Sequence, residues 1–206
     1  MYQLPQSFFL GENVQEIARN LLGKILLTEM DGIATACRIV ETEAYAAPLD
    51  KASHAYGMRR TKRTETMYLE GGHSYVYLCY GIHHLFNIVT GPAELPHAIL
   101  IRGGEPILNQ AQMLVRRNKQ NITPALTAGP GALSMALGIK TNHDGLALFE
   151  DSCLIKIMED DFSVEKKDIK ALPRVGINYA EEFVEKPWRY ILLGSKWVSN
   201  RDGLKQ

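Results

Sequence analysis

The sequence has no apolar run long enough to cross a bilayer, and its first residues lack the basic and apolar regions of a secretory signal. Its three cysteines, Cys37, Cys79 and Cys153, are scattered and never form a C-x-x-C pair. That pattern argues against a disulfide framework or a zinc knuckle and favours a reducing compartment. We therefore expect no membrane contact and a location in the bacterial cytoplasm, or in the nucleus if the source is eukaryotic.

Several common catalytic motifs are also missing. The sequence has no G-x-x-x-x-G-K-[ST] phosphate loop, no G-x-G-x-x-G fingerprint, no G-x-S-x-G elbow and no zinc-deaminase signature. Hydrolysis by a carboxylate and a water molecule remains open, because it needs none of these motifs. The formal net charge at pH 7 is zero, so composition alone does not indicate a nucleic-acid-binding protein.

Positive charge is nevertheless concentrated in residues 59–63, a stretch called here the basic segment. Its charged members are Arg59, Arg60, Lys62 and Arg63. Such a segment is either a solvated surface or a contact with phosphate groups. Phosphate binding requires local positive charge and not a basic protein, so both interpretations stay open at this point.

With 206 residues the chain is long enough for one sizeable core, and we expect a single domain over residues 1–206. A capping Asn13 and the pair Gly129-Pro130 predict two helix starts, and residues 106–117 also have helical spacing. We predict strands at residues 24–30, 33–45, 73–80, 85–89, 98–102, 146–149, 153–158 and 189–193. Hairpins dominate this order, which predicts an α+β fold with a curved, mainly antiparallel sheet surrounded by helices.

The most informative stretch is residues 39–45, at the end of the second predicted strand. Because alternate residues of a strand point to one face, Glu41, Glu43 and Tyr45 should project together. A face that only needed packing would carry Val or Leu instead. Such a carboxylate can serve as a general base for water, and two of them about 7 Å apart also fit a two-carboxylate glycosidase. The alternative is a pair of structural ion pairs with arginines such as Arg38 or Arg102.

Aromatic residues and a lone histidine add a second candidate set. Tyr75 and Tyr77 share one face of a predicted strand, and Tyr80 lies near the tip of the hairpin that follows. They either pack on the sheet or bind flat rings, with Tyr45 and Tyr77 enclosing a base and Tyr80 wedging into a base stack. His54 is either a surface residue or a hydrogen-bonding partner for a purine edge. The remaining histidines lack ligands at metal-binding spacing, so we expect no metal site.

Together these segments resemble the alkyladenine (3-methyladenine) DNA glycosylases of the mammalian type. The resemblance covers the chain almost end to end, in several spaced segments that follow one another in the right order. The segments that carry it are residues 21–23, 38–45, 75–77, 80–81, 87–88, 100–102, 129–130, 133, 136–137, 174–176, 186–187 and 194–199.

The resemblance implies a role for each residue of the reaction centre. Glu43 matches the general base that activates the water attacking the sugar C1′. Arg102 matches an arginine beside that water and the phosphate of the flipped nucleotide. Glu41 is then a structural partner and not a second catalyst. The implied reaction is simple hydrolysis to an abasic site, with no cofactor and no metal.

The resemblance also implies how the damaged base is held. Tyr45 and Tyr77 match two rings that stack on the flipped base, His54 a residue at its edge, and Asn87 one that clashes with the exocyclic amine of guanine. Tyr80 matches the residue of a protruding hairpin that enters the minor groove of DNA. We therefore expect a monomer that acts on double-stranded DNA with damaged purines, with the basic segment on the DNA backbone. Candidate substrates are 3-methyladenine and 7-methylguanine, with hypoxanthine and ethenoadenine as further possibilities.

Two other functions use the same residues differently. A non-catalytic nucleic-acid-binding module would use the tyrosines and the basic segment but would not need Glu43. A carbohydrate glycosidase would need Glu41 as much as Glu43 and would leave Tyr80 without a role.

Overall fold

The computed structural model describes residues 1–199, which form a nine-stranded antiparallel sheet and three short α-helices. The α+β prediction is confirmed. Within the described residues, no helix is long and apolar enough to span a membrane. The strands are β1 (Tyr2–Gln3), β2 (Ile25–Met30), β3 (Ile33–Ala46), β4 (Ser74–Cys79), β5 (His83–Thr90), β6 (His97–Leu108), β7 (Ile155–Glu159), β8 (Ile169–Leu172) and β9 (Arg189–Leu192), and the helices are α1 (Val14–Asn20), α2 (Gln110–Arg116) and α3 (Pro130–Leu137).

The strand β3 is the centre of the sheet. The order is β1-β7-β2-β3-β6-β5-β4, and β9 pairs with β3 on one side and β8 on the other. β3 pairs with β2 over its first six residues and with β9 from Glu41 to Glu43, while β6 follows it along the other edge. Irregular pairing near Glu41 leaves Arg102 without an opposite residue in β3, as in a β-bulge, which bends the strand.

One face of the sheet packs against the helices and forms the main core. Buried side chains of β5 and β6, among them Phe86, Ile88, Ile99 and Ile101, meet apolar residues of all three helices there. α1 begins as predicted, because the side chain of Asn13 accepts a hydrogen bond from the backbone N–H of Glu16. Removal of this apolar surface from water is the main force that holds the helices on the sheet.

The other face of the sheet carries polar and aromatic residues in register. Glu43 pairs with Leu100, Leu100 with Asn87, and Asn87 with Tyr75, so one row crosses four strands. Since side chains of paired residues point to the same face, this register brings together residues separated by up to 57 positions. The row forms the base of the candidate site.

Some predicted elements were wrong. Residues 106–108 are strand and not helix, because β6 continues to Leu108 and pairs Pro106 and Leu108 with β3, so the helix begins only at Gln110. Residues 146–149 form no strand, apart from an isolated bridge between Ala147 and His73. The short strands β1 and β8 were missed, since runs of two and four residues carry little periodicity.

Candidate functional site

A cavity of about 450 Å³ opens on the polar face of the sheet, beside the hairpin of β4 and β5. Five tyrosines and a histidine line its wall among smaller apolar residues and a few polar groups, a composition that suits a flat ligand. The predicted site residues that line it are Tyr45, His54, Arg63, Tyr77, Tyr80, Asn87 and Arg102, and it is also lined by Tyr75, Val175 and Tyr179.

Glu43 lies directly behind this wall and is fully buried. Its Oε2 atom accepts a hydrogen bond of 2.7 Å from the hydroxyl of Tyr45, and its Oε1 atom accepts one of 2.8 Å from the backbone N–H of Val175. Nη1 of Arg102 lies 3.5 Å from Oε2, which is at the outer limit of a hydrogen bond. All three partners line the cavity, so the carboxylate of Glu43 lies immediately beside the cavity wall.

Glu41, two residues earlier on the same face, is engaged differently. Its carboxylate accepts four hydrogen bonds, from Nε of Arg102, Nε of Arg189, and the backbone N–H and hydroxyl of Ser199. It is fully buried and does not line the cavity. A carboxylate with this many partners is a structural anchor, and the geometry gives no support to a glycosidase in which Glu41 and Glu43 share the work.

Arg102 joins the two carboxylates. Its Nε lies 3.1 Å from Glu41, its Nη1 faces Glu43, and its Nη2 donates to the hydroxyl of Ser199 at 3.2 Å. Burial alone would lower the pKa of Arg102, but Glu43 and Glu41 together raise it above its ordinary value. The guanidinium is therefore a fixed positive charge at the base of the cavity.

Tyr45 is held from both ends. Its hydroxyl donates to Glu43, and burial, followed by the nearby charge of Glu43, raises its pKa well above the ordinary value. The guanidinium of Arg174 lies 4.7 Å from the centre of its ring. Arg174 is itself paired with the fully buried Asp50 through two hydrogen bonds of 2.6 and 2.8 Å. The ring therefore has little freedom to rotate.

Tyr77 and His54 form another part of the wall. The imidazole of His54 packs edge-on against Tyr77, with ring centres 4.7 Å apart and an angle of 80° between planes. Burial, and to a lesser extent the charge of Arg63, lowers the pKa of His54 to about 4. Burial raises the pKa of Tyr77 above its ordinary value. Both side chains are therefore uncharged at neutral pH.

Asn87 lies in the strand row between Leu100 and Tyr75. It is buried, and its amide nitrogen donates to the backbone carbonyls of Tyr75 and Leu85 at 3.0 and 3.3 Å. These two bonds fix the plane of the amide, and the residue lines the cavity. A fixed amide of this kind can reject a ligand by shape, because it cannot turn away.

Tyr80 lies at the tip of the β4–β5 hairpin and also lines the mouth of the cavity. Its side chain is 92% exposed, and its backbone φ is 52°, a left-handed conformation that a tyrosine rarely adopts. Gly81 after it also has positive φ, which is the requirement of a type I′ turn at both central positions. Leu78 and Ile82 are exposed beside it, so the hairpin presents an apolar edge to solvent.

The four charged residues of the basic segment have different surroundings. Arg60 is paired with Glu65 and Glu94 and lies over the ring of Tyr68. Arg59 and Arg63 line a smaller neighbouring cavity of about 310 Å³, and Lys62 is exposed. Arg63 also lies over the ring of Tyr77, so the segment reaches the main cavity at one point.

The sequence did not indicate which residues, distant along the chain, hold the site residues in place. Glu41 is contacted by Arg189 and Ser199, and Glu43 by Val175. Tyr45 is contacted by Arg174, which is in turn paired with Asp50. The segments at 174–176 and 194–199 carried part of the resemblance, but nothing local indicated their partners. Within residues 1–199, no cluster of three His, Cys, Asp or Glu side chains could hold a metal ion.

Comparisons with known proteins agree on one family. The model described as "Methylpurine-DNA glycosylase (MPG)" matches residues 8–196. A protein from Bacillus cereus (strain G9842) is 45% identical over 205 residues, with 97% of this chain and 100% of the relative covered. For a protein from strain B4264 the identity is 46% over 206 residues, with the same coverage. Both are named "Putative 3-methyladenine DNA glycosylase".

Proposed function

The chain belongs to the methylpurine-DNA glycosylase family, and from that premise we propose that it excises 3-methyladenine, 7-methylguanine and related alkylated purines from double-stranded DNA. It is a DNA glycosylase of base excision repair, a hydrolase of N-glycosyl bonds. The observation that best supports our assignment of the site is the position of Glu43. Its buried carboxylate lies beside the cavity, and each of its two oxygens accepts a hydrogen bond, one from the hydroxyl of Tyr45 and one from the backbone N–H of Val175. Nothing in the described residues favours a non-catalytic module.

The cavity suits a base that has left the helix. Tyr45 and Tyr77 offer aromatic faces, on which any purine can stack. A purine alkylated at N3 or N7 carries positive charge while it is bonded to the sugar, and electron-rich rings attract it more strongly than a neutral base. The fixed amide of Asn87 supplies a shape limit on the same wall. The cavity then distinguishes alkylated purines from normal ones by charge and by shape together.

Glu43 supplies the chemistry. Its carboxylate accepts a proton from a water molecule while the water oxygen bonds to C1′ of the sugar. The C1′–N bond breaks, and its electron pair passes to the purine ring, which leaves neutral when the base was cationic. The products are the free base and an abasic site. Nη1 of Arg102 lies 3.5 Å from Oε2 of Glu43. From that position its positive charge can act on the attacking water and on the phosphate of the flipped nucleotide.

Among the described residues that line the cavity there is no lysine, so the lining offers no amine for a Schiff base with the abasic sugar. We therefore propose hydrolysis without strand cleavage. We also propose that the active form is a monomer.

The hairpin and the basic segment provide the contact with DNA. Extrusion of a nucleotide costs a few kcal/mol, and a side chain that fills the vacated space offsets part of that cost. Tyr80 has the exposure and the position for this role, at the mouth of the cavity. Arg59 and Arg63 line a cavity that shares His54 and Tyr179 with the main one, so both can meet phosphates there, and Lys62 is exposed beside Arg63 in the sequence. Arg60 must first release its two glutamates.

The test is excision from methylated duplex DNA by the wild type and Glu43→Gln. We expect the wild type to release 3-methyladenine, and the variant to be slower by at least about a hundredfold, the usual loss for a missing general base. Glu105→Gln, which changes an exposed carboxylate on β6, is the matched control and should behave as wild type. Equal release by the wild type and Glu43→Gln would overturn the assignment.

A further inference from the structure

Arg63 reaches the cavity although it belongs to the basic segment. Its Nη2 atom lies 3.3 Å from Nε2 of His54, and the carbon of its guanidinium lies 4.7 Å from the centre of the Tyr77 ring. The outer side of the residue is exposed to solvent. A side chain that only contacted phosphates would have no need of these two partners.

The contact with Arg63 determines where His54 carries its proton. A guanidinium N–H can only donate, so Nε2 of His54 must be the acceptor. A neutral imidazole has one N–H, which is then on Nδ1 and donates to the hydroxyl of Tyr75 at 2.9 Å. Both ring nitrogens are therefore occupied, and His54 has no free ring N–H for a purine edge.

The electrostatic surroundings of His54 support the same state. Burial raises the pKa of Tyr75 to about 12, and burial likewise raises the pKa of Tyr77, so both rings facing His54 from β4 are neutral. Tyr179, which lines the same cavity from a later loop, also has a raised pKa because of burial. Arg63 is then the charge next to the imidazole, and it opposes protonation of His54.

We infer that Arg63 is a positioning residue, which holds His54 in the neutral Nδ1–H tautomer and thereby fixes the ring of Tyr77 for stacking on an extruded purine. The centre of the Tyr77 ring lies 4.7 Å from the guanidinium carbon of Arg63 and 4.7 Å from the centre of the His54 ring. A hydrogen bond to the hydroxyl of Tyr75 connects His54 to β4. The stacking role rests on the function proposed above, whereas the tautomer is a property of the free protein.

Two variants of Arg63 separate this role from phosphate binding. Arg63→Met keeps an unbranched apolar stem but removes the charge and the donor, and Arg63→Lys keeps both the charge and a donor. Lys62→Met removes a neighbouring exposed charge that has no contact with His54. NMR of the imidazole nitrogens measures the tautomer and pKa of His54 in the free protein. Single-turnover excision of methylated DNA at saturating enzyme measures the rate of the chemical step.

In Arg63→Met we expect a mixture of His54 tautomers and a His54 pKa higher by about one unit, the size of effect that one nearby charge has. The single-turnover rate should fall about tenfold, because a displaced ring misplaces the base. Arg63→Lys should restore most of both. Lys62→Met should leave the tautomer and pKa of His54 unchanged and weaken the salt dependence of DNA binding.

Two results would overturn the inference. One is an unchanged tautomer and pKa of His54 in Arg63→Met, with only a weaker salt dependence of binding, which would make Arg63 a phosphate contact. The other is a changed tautomer with a wild-type rate. If the wild type released no alkylated base at all, the proposed function would fail, while the NMR result would still decide whether Arg63 holds His54.

Discussion

The hydroxyl of Tyr45 donates a 2.7 Å hydrogen bond to Oε2 of Glu43, so a ring of the base cavity and the proposed general base are directly joined. The two residues are separated by one position on β3, and their side chains lie on the same face of that strand. Placement of a stacked base and orientation of the carboxylate are thus coupled through one bond.

Tyr45→Phe tests this coupling. The ring stays for stacking, but Glu43 loses a partner, so single-turnover excision should fall about ten- to a hundredfold, which corresponds to a hydrogen bond to a charged group. Affinity for DNA that contains an abasic site should change little. Tyr77→Phe removes a hydroxyl that has no bond to Glu43 and should lose much less activity. Equal losses in the two variants would contradict the coupling.

Glu41→Gln should damage stability more than any exposed substitution. It removes a buried carboxylate that pairs with the guanidinium groups of both Arg102 and Arg189, while Arg102 keeps Glu43 at 3.5 Å, and we expect a cost of about 3–5 kcal/mol of the free energy of unfolding. Urea unfolding of the variant beside Glu105→Gln measures the difference. A cost below about 1 kcal/mol would show that other groups compensate the two arginines.

The pair Asp50–Arg174 should show strong coupling. Asp50→Asn leaves the buried guanidinium of Arg174 without its counter-charge and should cost about 3–5 kcal/mol of the free energy of unfolding. The double change Asp50→Leu with Arg174→Met should cost less than the sum of Asp50→Leu alone and Arg174→Met alone. A double-mutant cycle in urea gives the interaction free energy. Additive single effects would mean that the pair contributes only through packing.

Tyr80→Gly should separate stability from activity. Glycine adopts positive φ without strain, so the free energy of unfolding should stay the same or rise by about 1 kcal/mol. Excision from duplex DNA should nevertheless fall, because nothing fills the gap left by the flipped nucleotide. Tyr80→Phe keeps the ring and should remain active. Wild-type excision by Tyr80→Gly would remove the wedge from the mechanism.

Stability should fall as the pH is lowered from 6.5 toward 4. His54 binds a proton near pH 4 in the folded protein but near 6.5 once unfolded, so between these values the unfolded state binds more protons and is favoured. The wild type should lose about 1–2 kcal/mol from this residue between pH 7.5 and pH 5. Unfolding of the wild type and His54→Gln at both pH values isolates this part. An identical pH dependence in the two proteins would contradict it.

Much of the site follows from local patterns. The alternation along β3 places Glu41, Glu43 and Tyr45 on one face, and the pair Tyr80-Gly81 marks the hairpin tip, because both features depend only on neighbouring residues. The spaced segments identified the family, which the comparisons confirm.

The division of labour between the two glutamates was decided by the tertiary structure. Alternation treats Glu41 and Glu43 alike, but Ser199 and Arg189 come from about 150 residues away to saturate Glu41, and Val175 comes from 132 residues away to orient Glu43. A bulge in β6 places Arg102 between them. The residues next to each glutamate do not indicate these hydrogen-bond donors, because the donors are brought close only by folding of the chain. The role of each carboxylate could therefore be assigned only from the tertiary structure.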